Sequence, residues 1–179
     1  MDDKVAFLGC GSWGAALSSI LVEKGISVNF WHRDSQIIKE MTRSRKHYLL
    51  PSVIFPDSVN FFSKIEYSIK NIDSIVIAVP SQNVREVLSK VQSKIKASTN
   101  IINIAKGIEN HSLMTMSEVI VDVLNITPKI VTLSGPSHAE EVVASKPTAI
   151  VSASNDISVN KFVQDLFSTN KFRVYTNND

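Results

Sequence analysis

Gly9, Gly11 and Gly14 stand in the spacing G-x-G-x-x-G, after the apolar run 5–8 and before an amphipathic run carrying Leu17, Ile20 and Leu21. That order predicts strand, tight turn, helix. The first glycine permits a sharp turn off the strand, the second removes a side chain where a pyrophosphate must approach backbone, and the third lets the helix lie close to the sheet. The free N–H groups and positive dipole end of that helix would face the phosphates. The chemistry on offer is dinucleotide binding, weighed against a tight turn with glycines for steric reasons alone.

Three further places carry candidate chemistry. The strand Ser27–Trp31 runs into His32-Arg33-Asp34. Asp34 lies where an acid would bond a ribose 2′-OH, but it is equally placed to cap the helix starting at Ser35, and the cap is the preferred reading. Arg33 could accept a 2′-phosphate or be a solvated surface charge, and His32 could line an adenine site. Lys106 follows the apolar run 100–104; beyond a strand's carboxyl end a lysine can hold a phosphate or polarise a carbonyl oxygen, unless it is a surface charge. The turn Ser134-Gly135-Pro136-Ser137 precedes a helix expected from His138. Ser137 and Glu140 there have the spacing of a capping box, which would explain both without function, although a strand-to-helix turn also offers a second anion-binding helix end.

These residues need a scaffold that brings strand ends together. Strands are expected at 5–8, Ser27–Trp31, 60–62, 74–79, 100–104, 130–133, Thr148–Ala153 and 172–175. Between them lie helical patterns: Ile37, Ile38 and Met41; a short helix at 64–69; Val84, Val87, Leu88, Val91 and Ile95; Met116, Val119, Ile120, Val123 and Leu124; and Val159, Phe162, Val163, Leu166 and Phe167 over Ile157–Phe167. Strand and helix in alternation predict an α/β, Rossmann-like fold, a mostly parallel sheet with helices on both faces.

Composition narrows the partners. The 179 residues fit about one domain, 1–179, and a net charge of +2 gives no electrostatic case for nucleic acid. The basic run 43–48 is expected to be a solvated face. No apolar run reaches the ~20 residues that span a bilayer, and the start shows no signal-peptide pattern, so a cytoplasmic protein is expected. Cys10 is the only cysteine. It is expected to be small filler in the glycine turn, although a helix N-terminus could lower its pKa. His47, His111 and His138 match no metal spacing and are expected to be polar loop residues, so no metal is expected.

The segments GCGSWGAAL, FWHR, IVIAVPSQNVREVL, NIAKGIE and LSGPSHAEEVVASKPTAIV together resemble the N-terminal domain of bacterial-type NAD(P)-dependent glycerol-3-phosphate dehydrogenase. The resemblance implies reduction of dihydroxyacetone phosphate to sn-glycerol 3-phosphate, a glycerophospholipid precursor, with NADP or NAD as cofactor. It further implies that Ser12 and Trp13, with the glycine turn, contact the dinucleotide, that His32 and Arg33 meet its adenosine end, and that Lys106 stands between cofactor and substrate. Gly135 and Ser137 would bind substrate, and Ala139 would lie near the cofactor. Family members carry a second, helical domain that supplies a general acid or base lysine and an Arg-Asn pair. Those are expected beyond Asp179, so the catalytic residue is unknown here, the fragment is expected to be nearly inactive, and a homodimer is expected only at full length. A related two-domain dehydrogenase and a non-catalytic nucleotide-binding module are the alternatives.

Overall fold

In the computed structural model, which describes residues 4–126 and 128–178, β-branched and aromatic runs form strands and the amphipathic runs form helices. Residues 1–3, on which the reading of the chain start rests, lie outside that range. In chain order the elements are β1 (Lys4–Leu8), α1 (Ser12–Glu23), β2 (Ser27–Trp31), α2 (Ser35–Ser44), β3 (Val59–Phe62), α3 (Ile65–Ser68), β4 (Ser74–Ile77) and α4 (Val84–Ser89). There follow β5 (Asn100–Asn103), α5 (Met116–Leu124), β6 (Lys129–Ser134), α6 (Ala139–Val143), β7 (Thr148–Ala153), α7 (Ile157–Phe167) and β8 (Phe172–Asn177).

The strands form one sheet in the order β3-β2-β1-β4-β5-β6-β7-β8. β1 to β6 are mutually parallel, β7 turns antiparallel to β6, and β8 pairs parallel with β7. The sheet is covered on both faces, as expected for parallel strands. Along β1, Val5 and Phe7 face a core with Leu17, Leu21, Phe30 and Phe167, whereas Ala6 and Leu8 face a second core with Leu88, Val119 and Ile120. The period-two alternation of a strand is therefore apolar in both phases.

The start of α2 is as expected: Asp34 Oδ1 accepts the Gln36 N–H at 2.8 Å. Four expectations are corrected. α6 starts at Ala139 with His138 at the cap position and no side-chain cap, so Ser137 and Glu140 form no capping box. His138 stays extended (φ −114°, ψ 136°), which delays the helix by one residue and moves Glu140 out of register. α4 ends at Ser89, and Val91 and Ile95 are buried instead around a 3₁₀ turn, Gln92–Lys94. Phe162 is 39% exposed, at the edge of the α7 stripe.

The basic run is the fourth, in part. Arg43, Ser44 and Lys46 are exposed as expected, but Arg45 donates to the carbonyls of Phe55, Pro56 and Val59, and His47 is buried. The stretch after α2 is a structured loop stapled onto the sheet. The other end of the chain is stapled too, where Lys24 at the end of α1 donates to the carbonyls of Asp165, Leu166 and Ser168, closing the last turn of α7. Among the described residues no helix is long and apolar enough to cross a membrane, and no group of three or more His, Cys, Asp or Glu could hold a metal ion.

Candidate functional site

The strand order changes direction between β1 and β4, since β2 and β3 build outward on one side and β4 to β6 on the other. A crevice opens there, beyond the carboxyl ends of the strands, which is where open α/β sheets take their ligands. All of the candidate residues lie on that rim. Gly9 to Gly11 leave β1, His32 and Arg33 leave β2, Ala105 and Lys106 leave β5, and Gly135 to Ser137 leave β6.

The glycine turn is tightly fixed. Gly9 has φ +107°, and a Cβ there would lie 2.5 Å from the Ala78 carbonyl oxygen. Its N–H donates to Trp31 O at 3.0 Å, and Ala78 N–H donates to Leu8 O at 2.8 Å, so the corner is sewn to both neighbouring strands. A Cβ on Gly14 would come within 3.2 Å of Ala78 Cβ, the expected close approach of helix to sheet. Gly11 differs, because a Cβ there would meet nothing within 4 Å. The N–H groups of Gly11, Ser12 and Trp13 find no acceptor among the described residues, and the first turn of α1 holds no acid. The buried indole N–H of Trp13 also lacks a partner among them. Open space, free donors and a positive helix end together fit a bound pyrophosphate.

Two clefts meet at Gly11, Ala78, Val79 and Pro80. One, of about 320 Å³, is lined by His32, Arg33 and Tyr48 facing Pro80, Asn83 and Val87. The other, of about 440 Å³, is lined by Trp13, Lys106, Ser137 and Ala139. Together they make a groove with an apolar slot at one end and an amine at the other. In the slot, His32 lies 5.8 Å from the Tyr48 ring, and its Nδ1 accepts the Asp34 N–H at 3.1 Å. The Asp34 carboxylate is engaged by its cap, so its preferred reading as a cap is the observed one.

Lys106 has two partners. Its Nζ donates to Gly135 O at 2.9 Å and lies 5.8 Å from the centre of the Trp13 ring. Behind it, Asn103 Oδ1 accepts the Ala105 N–H at 3.1 Å. Gln82 brackets the following loop, donating to Ile108 O at 2.7 Å and accepting from Asn110 N at 3.0 Å. Arg85 then pairs with Glu109 at 2.9 Å and with Asp122. The Arg85 hydrogen bond, joined by one from Ser112, holds the Glu109 carboxyl below the usual carboxylate range.

Gly135 lies against β7, where a Cβ would be 3.0 Å from Ile150 Cα. Among the described residues Ser137 Oγ reaches only Gly135 O, at 3.4 Å. Cys10 is buried, and burial pushes its thiol up to about 12 rather than down. His47, read as loop polarity, is instead 1% exposed and bonded to the Cys10 carbonyl at 2.8 Å. His111 and His138 are exposed, as expected. Sequence reasoning missed Tyr48, Gln82, Asn103 and Arg85 as parts of the site. Only the proximity of Gln82 to the end of β4 offered a local signal.

Residues 4–160 match the family model described as NAD-dependent glycerol-3-phosphate dehydrogenase N-terminus. The chain belongs to that family. It is 45% identical over 179 residues to glycerol-3-phosphate dehydrogenase [NAD(P)+] of Carboxydothermus hydrogenoformans, covering 98% of this chain and 53% of the relative. With the enzyme of the same name from Clostridium tetani it shares 41% identity over 176 residues, covering 98% and 50%. The crystal structure of glycerol-3-phosphate dehydrogenase from Coxiella burnetii superposes with a TM-score of 0.93 at 34% identity, over 99% of this chain and 55% of that one. The chain thus spans about half the length of the relatives it matches. A related dehydrogenase of another family, one of the two alternatives, gives way to this assignment.

Proposed function

We propose that this chain is the cofactor-binding half of an enzyme that interconverts dihydroxyacetone phosphate and sn-glycerol 3-phosphate using NADPH or NADH. The observation that carries the reading is Lys106, whose amine stands at the junction of the groove beside Trp13 and the turn Gly135-Pro136-Ser137. When bound, the nicotinamide supplies a hydride to the substrate ketone carbon or accepts it in reverse.

The chain's own residues would do the rest of the binding. Gly11, Ser12 and Trp13 present free N–H groups to the pyrophosphate, Gly9 and Gly14 shape the corner beneath it, and Ala139 borders the cleft at the far end. His32 and Arg33 meet the adenosine end. Arg33 offers a cation there for a 2′-phosphate, in a slot that Glu86 and Lys90 also line. Lys106 spends one donor on Gly135 O and has two more for a substrate oxygen. As negative charge builds on the ketone oxygen, an ammonium there stabilises it. Gly135 and Ser137 form the near wall for substrate.

The family resemblance implies a general acid or base in the half of the relatives that these 179 residues do not span. Loss of such a group costs ~10²- to 10⁴-fold, so the chain alone should bind dinucleotide and turn over little. The complete protein would be a cytoplasmic homodimer serving glycerophospholipid synthesis.

The test is Lys106→Ala in a chain extended to the length of its relatives. Turnover should fall ~10²- to 10³-fold, with NADPH affinity and unfolding midpoint nearly unchanged. Unchanged turnover would refute the role of Lys106. NADPH binding with no turnover by the extended wild type would mark a non-catalytic nucleotide module.

A further inference from the structure

His47 is one of the best-buried polar side chains in the molecule, and the reaction outlined above makes no use of it. Its Nδ1 accepts two backbone N–H groups, from Leu50 at 3.1 Å and Leu49 at 3.3 Å. That nitrogen therefore carries no proton, and the proton sits on Nε2. Nε2 lies 2.8 Å from the Cys10 carbonyl oxygen, so the imidazole donates to it across 37 residues of sequence. Burial holds the imidazole below its ordinary pKa, in keeping with a neutral ring.

The acceptor matters because of its place. Cys10 lies inside the glycine turn, and its C=O shares a planar peptide with the Gly11 N–H. The chain has no cis peptide among the described residues, so that C=O and N–H point in opposite directions. Fixing the carbonyl toward His47 turns the Gly11 N–H away from the loop, on the side where it has no acceptor and where Gly11 faces open space. The loop carrying His47 is itself rigid. It is closed by the Lys46–Ile54 bridge, by Phe55 N–H donating to Arg45 O at 2.7 Å, and by Arg45 reaching Val59 O at 2.9 Å.

We propose that His47 is a positioning residue that sets the Cys10–Gly11 peptide so that its N–H is presented to the pyrophosphate of a bound dinucleotide. The proposal rests on the nucleotide-binding reading above. His47 touches no ligand; it acts from behind the turn, through one carbonyl. The same ring ends beside Tyr48, at a centroid distance of 4.9 Å, so it links the adenosine slot to the phosphate corner.

Two conservative variants separate the two sides of the ring. In His47→Asn the short amide can still accept from the Leu49 and Leu50 N–H groups but cannot reach Cys10. In His47→Gln the longer amide places a donor near the position of Nε2. NADPH and adenosine 2′-monophosphate are titrated against wild type and both variants, the first carrying a pyrophosphate and the second none. Thermal unfolding and the amide NMR spectrum report the fold, and the Gly11 amide signal reports the peptide directly. His47→Asn should weaken NADPH about tenfold, the loss of roughly one charge-assisted hydrogen bond, with adenosine 2′-monophosphate affinity within about twofold and the Gly11 amide shifted. His47→Gln should recover most of the NADPH loss. Equal weakening of both ligands, or NADPH affinity unchanged in His47→Asn, would overturn the positioning role. A wild type that binds neither ligand would overturn the nucleotide reading and this role with it. If His47→Asn fails to fold, NADPH binding by a folded His47→Gln more than tenfold below wild type would equally refute the donor.

Discussion

Gly9 and Gly11 belong to one motif, yet the structure separates what alanine would do at each. At Gly9 the backbone sits at φ +107°, and a Cβ would stand 2.5 Å from a main-chain oxygen of β4's exit. Positive φ costs a non-glycine residue about 1–3 kcal/mol. The contact adds to this, because the neighbour is backbone and can yield only by opening the seam of β1 and β4. A loss of about 3 kcal/mol lowers the unfolding midpoint by roughly 6–12 °C in a chain of this size. At Gly11 the backbone is ordinary, φ −69° and ψ 169°, and the space is open. Alanine caps a helix less well than glycine but restricts the unfolded chain, so these opposing terms leave the fold within about 1 kcal/mol of wild type. The new methyl instead occupies the approach to the free N–H groups. Urea unfolding and NADPH fluorescence titration of both variants form the assay. Gly9→Ala should lose stability, and Gly11→Ala should keep stability and lose NADPH affinity by tenfold or more. A Gly11→Ala chain that binds NADPH like wild type would refute the placement of the pyrophosphate.

Arg33→Ala should weaken NADPH far more than NADH, since only NADPH carries a 2′-phosphate; equal losses by titration would remove Arg33 as its reader. Cys10, with its thiol pushed up to about 12, should resist a thiol reagent at pH 8 in the native chain and react at once in urea. The lowered pKa of His47 gives stability a pH dependence of known sign. Above pH 6.5 both states hold the ring neutral. As pH falls below 6.5 the unfolded chain gains a proton that the folded one refuses, and stability drops by up to about 1.4 kcal/mol per pH unit until the folded ring titrates. Urea unfolding of wild type and His47→Gln between pH 7 and 5 should show the steeper fall in wild type; parallel curves would refute it.

The parts of the fold that sequence made legible are those encoded by near neighbours. The glycine corner, the Asp34 cap and the doubly apolar strands each depend on residues a few positions apart. The capping box shows the limit of such signals. Ser137-x-x-Glu140 and Thr115-x-x-Glu118 carry the same pattern, but only the second closes, with Thr115 accepting from Glu118 N–H and Glu118 accepting from Thr115 N–H. One extended residue at His138 decides the difference, and no pattern announces it. The residues that steady the site were harder still. His47 meets Cys10, and Arg85 meets Glu109, across separations that exist only once the sheet has assembled. A basic run with a histidine reads as solvated surface until its partners are known.

The close contact of Gly135 with Ile150 bears on how related sequences should be read. The crowding comes from the reversed strand β7 pressing on the exit of β6, so it operates whether or not any substrate ever arrives. A copy of this domain that had lost its chemistry would still be obliged to keep that glycine, and Gly9 with it. Under the proposed function, decay in such a copy would surface first where ligands add demands beyond the fold's own, at the amine of residue 106, the hydroxyl of residue 137 and the guanidinium of residue 33. Those three positions, rather than the glycines, are the ones to inspect when separating working copies from relics.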